Sequence, residues 1–523
     1  MTKLKIPSVI TQGHARLNAI LNNIAMYRLV LYVLMFFVAV AFVFSFFGMF
    51  GLVPFTPINM LFSLALILGV SWITNFVFAY TYKAPSNIES VYITALILFC
   101  IITPPQSGDY VAYLSLAGWA SIWAMASKYI VAYRKKHIFN PAAFALVLTS
   151  LTLHQSASWW IGRGDMLAFV LIGGLLVAMK IRRFDMVISF AISALATIGG
   201  LALLQGSDVV FKLSTTFSDT AFLFFAFIML TEPITAPPTK RLRIVYGVVV
   251  GVLFAPNLHV GTLYSTPELA LVLGNIFSYA VSPKEKFILK LKERVKIAHN
   301  TFEYVFSGDR KITFRPGQYM EWTLAHPNPD TRGNRRYFTL ASSPTEHEVR
   351  LGVRQFPESS SYKKYLQEME IGTEVIAAQR AGDFVLPRDP SLKLVFIAGG
   401  IGITPFRSMM QYLLDTNEKR TITVLYSNRT AEDIAYKQIF NRAVAELGVQ
   451  VSYFVTDPVE GLLEERMVQG KINEEVLKKE VPDYMDRRFY ISGPNAMVSE
   501  FKSTLKSMGV KNKNIKTDYF PGL

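Results

Sequence analysis

The sequence predicts a multidomain chain: an α-helical membrane domain over residues 28–283, then a β-barrel over 287–389 and an α/β domain over 390–523. Three observations predict this order. Ten apolar runs occupy the first half, basic residues collect in alternate connections between them, and short strand-like segments replace the runs after Phe287. Residues 1–27 are polar and precede the first run, so we expect a cytoplasmic N-terminal segment there.

The composition separates this chain from soluble single-domain proteins and from nucleic-acid-binding proteins. Of its 523 residues, 51% are hydrophobic, which is too apolar for one soluble domain. The net charge of +15 comes from basic clusters between apolar segments, where such clusters orient a membrane protein. No basic-aromatic motif accompanies them, so we expect membrane lipid and no nucleic acid as a partner.

The single cysteine restricts the kinds of electron carrier that the chain could hold. Cys100 lies in an apolar run, so neither an intrachain disulfide nor an iron–sulfur cluster on four thiolates is possible. Haem would need histidine pairs on facing helices, whereas His137, His154 and His259 fall near the ends of apolar runs. We therefore expect an organic electron carrier and no metal site.

The ten apolar runs are candidates for membrane-spanning helices, because most of them approach the length that crosses a bilayer. They lie at about 28–50, 57–80, 89–103, 109–127, 141–153, 165–180, 185–205, 219–231, 241–258 and 267–282. Basic residues precede the first run and follow the second, fourth, sixth and eighth, at Lys83, Arg134–Lys136, Lys180–Arg183 and Lys240–Arg243. Since positive residues stay inside, we expect a multi-pass protein of the cytoplasmic membrane with both termini and the soluble domains cytoplasmic.

Prolines interrupt several runs and suggest broken helices. They occur at Thr103–Pro105, Asn140–Pro141, Thr231–Pro233 and Thr266–Pro267. The first and third of these segments resemble each other, as do the second and fourth, which predicts an inverted repeat whose unwound backbone lines a buried site. Alternatively, the prolines only end helices at the membrane interface. Glu232, a carboxylate beside one break, is a functional candidate or a helix-ending residue.

Two segments of the membrane half resemble a known family. Residues 136–144 read Lys-His-Ile-Phe-Asn-Pro-Ala-Ala-Phe, and residues 225–237 contain Thr-Glu-Pro-Ile-Thr-Ala-Pro. Both are similar to a family of membrane proteins found in the sodium-translocating NADH:quinone reductase (Nqr) and in the Rnf complex. The resemblance implies a ten-helix domain around a flavin, FMN or riboflavin, with Asn140 and Thr231 as contacts to it. This flavin would be the second of the chain, beside an FAD in the soluble half. The family segment that carries covalent FMN is missing, so this flavin is expected to bind noncovalently.

The soluble half carries a second resemblance. Residues 336–344 read Arg-Tyr-Phe-Thr-Leu-Ala-Ser-Ser-Pro and follow the strand and turn of Phe314–Tyr319. Both segments resemble the ferredoxin–NADP reductase superfamily, in which the arginine neutralises an FAD phosphate, an aromatic ring packs on the isoalloxazine and the hydroxyl lies near flavin N5. The implied contacts to FAD are Arg336, Tyr337, Phe338, Thr339 and Ser342, with Thr339 also catalytic.

Three consecutive serines are predicted to hold the pyrophosphate of FAD. Ser359, Ser360 and Ser361 precede a helical stretch and offer hydroxyl and backbone N–H groups. The family usually has glycine in this run, so the chain departs from the pattern here.

A glycine-rich turn predicts the nucleotide site of a Rossmann-like domain. Residues 398–405 read Ala-Gly-Gly-Ile-Gly-Ile-Thr-Pro between the apolar strand 394–397 and the helical stretch 406–414. Glycines let the backbone approach a dinucleotide, and the following helix offers its N-terminus to phosphate. The predicted contacts are Gly399, Gly400, Gly402, Thr404 and Pro405.

The C-terminal part supplies the remaining expected contacts. Ser492, Gly493 and Pro494 resemble the family's Cys-Gly-Pro motif, which implies that Ser492 acts catalytically where the nicotinamide meets the flavin. Phe520 lies among C-terminal aromatic residues of the kind that cover the flavin. Arg429 could bind the extra phosphate of NADPH, but the strand that ends at Asp457 supplies no second basic residue, and the pattern favours NADH.

These resemblances imply a membrane oxidoreductase that takes hydride from cytoplasmic NAD(P)H onto FAD and passes single electrons into or across the membrane. The acceptor would be an extracytosolic flavoprotein or another molecule. Two alternatives stay open: an NAD(P)H:quinone reductase with its quinone site in the membrane half, and a transporter with a nucleotide-sensing soluble domain.

Overall fold

The computed structural model describes residues 17, 20–21, 24–47, 55–83, 88–106, 109–133, 136–256, 258–261, 263–282, 286–308, 310–326, 329–330, 333–458 and 465–520. The chain divides into two compact units, Met1–Lys284 and Glu285–Leu523. Each unit has its own core, and each is described by itself below.

The first unit is helical, and the order of its elements repeats. Its first half contains α1 (Met26–Phe47), α2 (Pro57–Thr81), α3 (Ile88–Ile101), α4 (Tyr110–Ile130), a hairpin of β1 (Ala132–Tyr133) and β2 (Lys136–His137), and α5 (Pro141–Leu153). Its second half contains α6 (Leu167–Ile181), α7 (Phe184–Leu204), α8 (Val209–Ser218), α9 (Phe222–Phe224) continued by a π-helix over Phe225–Met229, α10 (Lys240–Leu253), a hairpin of β3 (His259–Val260) and β4 (Leu263–Tyr264), and α11 (Pro267–Val281). In both halves a two-stranded hairpin therefore precedes a helix that begins at proline.

The prolines have two different positions in these helices. Pro141 and Pro267 begin α5 and α11, where the missing N–H costs nothing, and the side chains of Asn140 and Thr266 accept the hydrogen bonds that cap these helices. By contrast, Pro104 follows the end of α3, and Pro233 follows the π-helix. The repeat predicted from the sequence thus has a counterpart in element order, while its inverted orientation stays a prediction.

Several helices of the first unit fit a bilayer. Among the described residues, four are long and apolar enough to cross one: Met26–Phe47, Pro57–Thr81, Gly164–Ile181 and Phe184–Leu204. A bent pair, Val209–Ser218 and Phe222–Met229, would make a fifth span with a 63° bend. Three apolar helices, α3, α5 and α11, are shorter than the roughly 20 residues that a span needs. The prediction of ten spans therefore stays a prediction.

Small residues bring two long helices together. Gly247 and Gly251 on α10 face Ser189 and Ser193 on α7. A Cβ on Gly251 would lie 2.6 Å from the carbonyl oxygen of Phe190. Such small-residue stripes let helix backbones approach closely inside a membrane, where no hydrophobic effect drives helices together.

The second unit contains two six-stranded sheets, one in the lobe that the sequence predicts to bind flavin, which we call the flavin lobe, and one in the lobe that it predicts to bind nucleotide, which we call the nucleotide lobe. The flavin lobe is built from β5 (Phe287–Ala298), β6 (Thr301–Gly308), β7 (Tyr319–Thr323), β8 (Arg335–Thr339), β9 (Val349–Arg354), α12 (Ser361–Glu368) and β10 (Glu374–Ala381). Its six strands form one antiparallel sheet in the order β8-β7-β10-β5-β6-β9. Alternation along β5 buries Phe287, Leu289 and Leu291 and exposes the residues between them, as expected of a sheet with one covered face. Closure of this sheet into a barrel stays a prediction.

The nucleotide lobe is a parallel sheet with helices. It contains β11 (Leu394–Gly399), α13 (Thr404–Thr416), β12 (Ile422–Asn428), α14 (Lys437–Leu447), β13 (Gln450–Val455), β14 (Met467–Gln469), α15 (Glu474–Glu480), β15 (Arg488–Pro494), α16 (Asn495–Ser507) and β16 (Ile515–Phe520). The strand order is β14-β13-β12-β11-β15-β16. All six residues of β11 are buried and none has a polar side chain, which is typical of a central parallel strand.

Replacing Gly251 with alanine is expected to separate α7 from α10, because the new Cβ meets backbone that cannot move aside. We expect a loss of about 1–3 kcal/mol of stability, the usual cost of overpacking. The measurement is thermal unfolding of the detergent-solubilised chain. Gly200→Ala on α7 is the control, because no atom lies within 4 Å of the added Cβ. Equal unfolding temperatures for both variants would contradict the close packing.

Candidate flavin and nucleotide site

Strand β8 carries the predicted flavin contacts on its two faces. The Arg336 guanidinium lies 5.0 Å from the ring centre of Tyr362 on α12, and the Phe338 ring centre lies 5.8 Å from the same ring. Tyr337 and Thr339 occupy the alternate positions; Thr339 is buried, whereas Tyr337 is 46% exposed. The strand therefore groups Arg336 with Phe338 on one face and Tyr337 with Thr339 on the other.

Arg336 and the N-terminus of α12 meet at one carboxylate. Asp330 accepts a hydrogen bond from the Ser361 N–H at 3.2 Å and another from Arg336 Nη2 at 3.4 Å. Ser360 caps the same helix by accepting from the Lys363 N–H. Helix N-termini and guanidinium groups both favour anions, so this place fits a phosphate group. In this structure the Asp330 carboxylate supplies the negative charge.

The three predicted serines use their hydroxyls within the protein. Ser359 Oγ accepts from the Phe356 N–H at 2.8 Å and donates to Gln355. Ser361 Oγ accepts from the Asp330 N–H at 2.9 Å. These hydroxyls hold the loop and the helix start in place, so an anion bound at the N-terminus of α12 would take over the Ser361 N–H that donates to Asp330 in this structure.

Tyr362 supplies an uncharged surface beneath Arg336. Burial raises the pKa of Tyr362 well above its usual value, although the positive charge of Arg336 opposes this shift. The phenol therefore stays neutral at physiological pH. Its ring can stabilise the Arg336 guanidinium by a cation–π contact and, being uncharged, leaves the positive charge of Arg336 free to attract an anion.

The glycine-rich turn joins β11 to α13 through a short 3-10 segment, Gly400–Ile403. Gly400 has a φ of +52°, which glycine adopts without steric cost. At Gly402, a Cβ would lie 2.6 Å from both Gly493 Cα and the Ser492 carbonyl carbon. The turn is therefore packed directly against the backbone of the neighbouring strand, and only glycine fits there.

Ser492 lies beside the turn because β11 and β15 pair in parallel, with Ala398 opposite Ser492. Its hydroxyl is fully buried and makes no hydrogen bond with any described residue. Thr404 donates to the Ile401 carbonyl, and Pro405 occupies the first turn of α13, so both shape the helix start. The two groups of predicted nucleotide contacts, Gly399–Pro405 and Ser492–Pro494, are thus adjacent.

Ser342 connects the two lobes. Its hydroxyl accepts from the Arg350 N–H at 3.2 Å, and its carbonyl oxygen accepts from the hydroxyl of Ser408 on α13 at 2.6 Å. The side chain is fully buried. The sequence assigns Ser342 to the flavin, whereas the contacts in the structure join the end of the flavin strand to the nucleotide helix.

Arg354 is a site residue that the sequence analysis missed. Its Nη2 binds Asp433 of the nucleotide lobe at 3.0 Å, and its Nη1 lies 3.5 Å from the position that a Cβ on Gly400 would take. A cation at this turn favours a nucleotide phosphate. The signal in the sequence is the basic residue that ends the alternating strand Val349–Arg354, but its partner is 79 positions away.

The two remaining predicted contacts are Arg429 and Phe520. Arg429 follows β12, its side chain is 75% exposed, and its Nε lies 3.7 Å from the carboxylate of Asp457. Phe520 ends β16, where it is paired with Pro494 of β15. The side chain of Phe520 lies outside the described residues, so its prediction as a flavin-covering ring stays a prediction.

In the first unit, a pocket of about 660 Å³, part of it open, lies beside Asn140, Thr231 and Glu232. Asn140 Nδ2 donates to Glu232 Oε2 at 2.8 Å, and the Asn140 N–H donates to Asn275 Oδ1 at 2.8 Å. His137 Nε2 lies 3.6 Å from Glu232 Oε1. The other lining comes mainly from apolar residues of α1, α3 and α5, so the pocket has an apolar body and one polar corner.

The side chains of Thr231 and Glu232 have different kinds of partner. The Thr231 hydroxyl donates to the Phe227 carbonyl at 2.6 Å and so completes the end of the π-helix. Glu232 contacts Asn140, Thr235 and His137. It therefore joins its own segment, Thr231–Pro233, to the segment Asn140–Pro141, which is distant in sequence. Polar groups buried in a membrane domain are costly and are commonly functional.

Comparison with known proteins finds similarity in the second unit. Residues 396–503 match the family model of the oxidoreductase NAD-binding domain. The glycine betaine monooxygenase reductase subunit of Chromohalobacter salexigens is 27% identical over 232 residues, which cover 41% of this chain and 60% of the relative. The flavohemoprotein of Candida albicans is 29% identical over 209 residues, which cover 39% of this chain and 50% of the relative.

The second unit thus contains a match to an oxidoreductase NAD-binding domain and is similar to a reductase subunit, and we call it the reductase module. The chain matches only 50–60% of the length of these two relatives. Among solved structures, the FAD/NAD-binding domain of a nitric oxide dioxygenase from Vibrio cholerae has a TM-score of 0.39 and 22% identity, covering 45% of this chain and 98% of that one. The cytochrome b5 reductase domain of Ulva prolifera nitrate reductase has a TM-score of 0.40 and 21% identity, with coverages of 45% and 98%.

Arg336→Ala is expected to weaken FAD binding by the reductase module about tenfold to a hundredfold, since one charge-assisted hydrogen bond contributes about 1.5–3 kcal/mol. The measurement is the ratio of FAD to protein after purification of the full chain. Arg335→Ala is the control, because Arg335 precedes Arg336 on β8 and lies 3.7 Å from Glu321. Unchanged FAD content in Arg336→Ala would contradict the assignment.

Gly402→Ala is expected to lower kcat/KM for NADH about a hundredfold, because the new Cβ pushes the turn away from the β15 backbone. FAD content should be unaffected. Gly399→Ala is the matched variant, since the atoms nearest to its Cβ belong to the flexible side chain of Met497 rather than to backbone. Steady-state kinetics with an artificial acceptor measure both. Comparable losses in the two variants would count against the packing argument.

Proposed function

We propose that this chain is a membrane flavoenzyme that takes hydride from cytoplasmic NAD(P)H onto FAD and passes single electrons into its membrane half. FAD, when bound, supplies the conversion between two-electron and one-electron transfer. The membrane half would then carry electrons into or across the membrane to an extracytosolic flavoprotein or another acceptor.

The observation that carries this proposal is the contact between the two cofactor segments of the reductase module. Ser342 lies three residues after Thr339, and Ser408 lies four residues after Thr404, and these two serines are hydrogen-bonded at 2.6 Å. The end of the flavin strand and the start of the nucleotide helix are therefore held together. Such fixed placement of two reactants is a large part of the catalytic power of an enzyme.

The residues of the module have separate roles in this proposal. Arg336 and the N–H groups that begin α12 hold the FAD pyrophosphate, and Thr339 lies at the flavin edge. The turn Gly399–Pro405 holds the nucleotide phosphates together with Arg354. Ser492, whose buried hydroxyl makes no hydrogen bond with any described residue, orients the nicotinamide. No proton needs to be removed by a base, so the protein acts by binding and placement.

We propose NADH as the preferred nucleotide. Arg429 is the basic residue available after β12, but its neighbour at 3.7 Å is the carboxylate of Asp457. An added phosphate on the ribose would meet this negative charge, whereas a ribose diol could donate hydrogen bonds to it.

For the first unit, we propose a multi-pass domain of the cytoplasmic membrane with both termini inside. The polar corner formed by Asn140 and Glu232, with the apolar pocket beside it, supports a second, noncovalent flavin at this place. A flavin ring has an apolar face and polar edges, as the pocket has an apolar body and a polar corner.

A second candidate function keeps the same reductase module but delivers electrons to membrane quinone. The observation that favours it is the mainly apolar lining of the same pocket. The reductase subunit among the relatives is, by its name, one component of a larger system, which supports an electron acceptor on a separate molecule for this chain as well.

Reconstitution in proteoliposomes tests the direction of electron flow. With NADH outside and an impermeant electron acceptor trapped inside, we expect NADH-dependent reduction of the trapped acceptor and a flavin-to-protein ratio near two. Asn140→Leu removes the polar corner and is expected to lower that ratio towards one and to stop transmembrane reduction. NADH oxidation with an acceptor outside should continue.

Three outcomes distinguish the candidates. Reduction of added quinone without reduction of the trapped acceptor would favour the quinone reductase. A flavin ratio near one in the unchanged protein would contradict the second flavin. A colourless protein that still binds NADH would contradict the proposed enzyme as a whole.

A further inference from the structure

Four charged residues of alternating sign form a chain between the two lobes of the reductase module. Glu303 on β6 binds Arg350 on β9, with Oε2 and Nη1 2.7 Å apart. Arg350 Nε lies 3.2 Å from Oε1 of Glu346. Glu346 in turn takes both terminal nitrogens of Arg407 on α13, with Nη2 at 3.1 Å. Glu303 and Arg407 are buried, so both ends of this charge chain lie away from solvent.

The Glu346–Arg407 end of the charge chain touches the segments that follow the two cofactor motifs. Glu346 accepts a hydrogen bond from the Ser343 N–H at 2.6 Å. Arg407 Nη1 donates to the carbonyl of Ala341 at 3.1 Å. Ala341 and Ser343 directly continue the flavin strand beyond Thr339, whereas Arg407 is in the first turn of the nucleotide helix. The pair therefore connects the flavin strand to the nucleotide turn.

The geometry of this pair suits only arginine. A guanidinium contacts both carboxylate oxygens and a carbonyl in one plane, whereas an ammonium is a point charge that cannot do so. The Arg407 guanidinium also lies 5.8 Å from the ring centre of Tyr436 on the nucleotide lobe. Loss of Glu346 would leave the buried Arg407 guanidinium without its carboxylate, and loss of Arg407 would remove the link between Glu346 and the nucleotide helix, so either change would loosen the contact between the lobes.

We propose that Arg407 and Glu346 are positioning residues that set the distance between the nicotinamide and the flavin. This inference rests on the proposed function. In the transfer, the C4–H bond of the dihydronicotinamide breaks and an N5–H bond forms on the flavin; the proton and two electrons move together as hydride, so the nucleotide is oxidised and the flavin reduced. Neither residue touches the reacting atoms; both act through the segments that they join.

A second buried arginine offers a matched control within one lobe. Arg487 Nε binds Asp483 at 2.6 Å, and its Nη1 donates to Thr423 at 2.9 Å. All three residues belong to the nucleotide lobe, and Arg487 is buried like Arg407. Arg487→Lys therefore disturbs another arginine–carboxylate pair with a buried arginine without loosening the connection between the lobes.

The test is rapid mixing of the FAD-loaded full chain in detergent with saturating NADH, without oxygen, followed by the rate of flavin bleaching per bound FAD. Arg407→Lys and Glu346→Gln are expected to slow this step by roughly tenfold to a hundredfold, the effect of a misplacement of about 1 Å. The kinetic isotope effect with 4-deuterated NADH should rise in both variants, while the dissociation constant for NAD⁺ stays within about twofold. Arg487→Lys should match the unchanged protein.

Each outcome has a defined meaning. Bleaching rates in Arg407→Lys and Glu346→Gln equal to that of the unchanged protein would overturn the inference. So would an equal slowing in Arg487→Lys, because the effect would then be one of general stability. If Arg407→Lys fails to fold, Glu346→Gln, which keeps the shape of the side chain, decides. If NADH does not bleach the unchanged protein, the proposed function fails instead.

Discussion

The close packing of Gly402 against the backbone of Ser492 and Gly493 is the constraint on which the nucleotide side of the reductase module depends. It fixes the turn between β11 and α13, and with it the direction in which the helix N-terminus points. The parallel pairing of Ala398 with Ser492 brings the two strands to the same edge of the sheet. The buried Ser492 hydroxyl and Arg354, whose Nη1 lies 3.5 Å from the position of a Cβ on Gly400, are both beside this turn.

The flavin side of the module depends on a candidate anion-binding site at the N-terminus of α12. Arg336 and the Ser361 N–H of α12 both donate to Asp330, and the Tyr362 ring packs against the guanidinium. The two sides are joined by hydrogen bonds and charges, and Ala341 after the flavin strand also packs into the hydrophobic core of the nucleotide lobe.

The polar corner of the first unit likewise joins segments that are distant in sequence. Asn140 caps α5 and at the same time donates to Glu232, which follows the π-helix. A π-helical turn commonly marks a functional place, and here it directly precedes Thr231 and Glu232. The Asn140 side chain is thus bonded both to its own helix and to a segment distant in sequence.

The sequence was sufficient where local pattern decides the structure. The apolar strand 394–397 and the helical stretch 406–414 correspond to β11 and α13, and the change of texture near Phe287 corresponds to the division at Glu285. Residues 205–219 lie between two of the predicted apolar runs, yet they contain α8, which Asp208 caps. Asp208 is a local signal for the start of a helix, and it lies outside the apolar runs from which the helices were predicted.

Contacts between distant segments could not be predicted from one sequence. Nothing near Arg407 indicates that its partner is Glu346, 61 positions earlier, or that Ser342 turns towards α13. The apolar runs also do not decide the number of spans by themselves, because the helices α3 and α5 within them are shorter than a span needs. In each case tertiary packing, rather than composition, decides the role of the residue.

Anaerobic titration of the purified full chain with NADH tests the central claim most directly. The account predicts a yellow protein whose FAD absorbance bleaches in proportion to added NADH, one NADH for each FAD that becomes reduced. A protein without flavin, or one whose bound flavin stays oxidised at every NADH concentration, would contradict it.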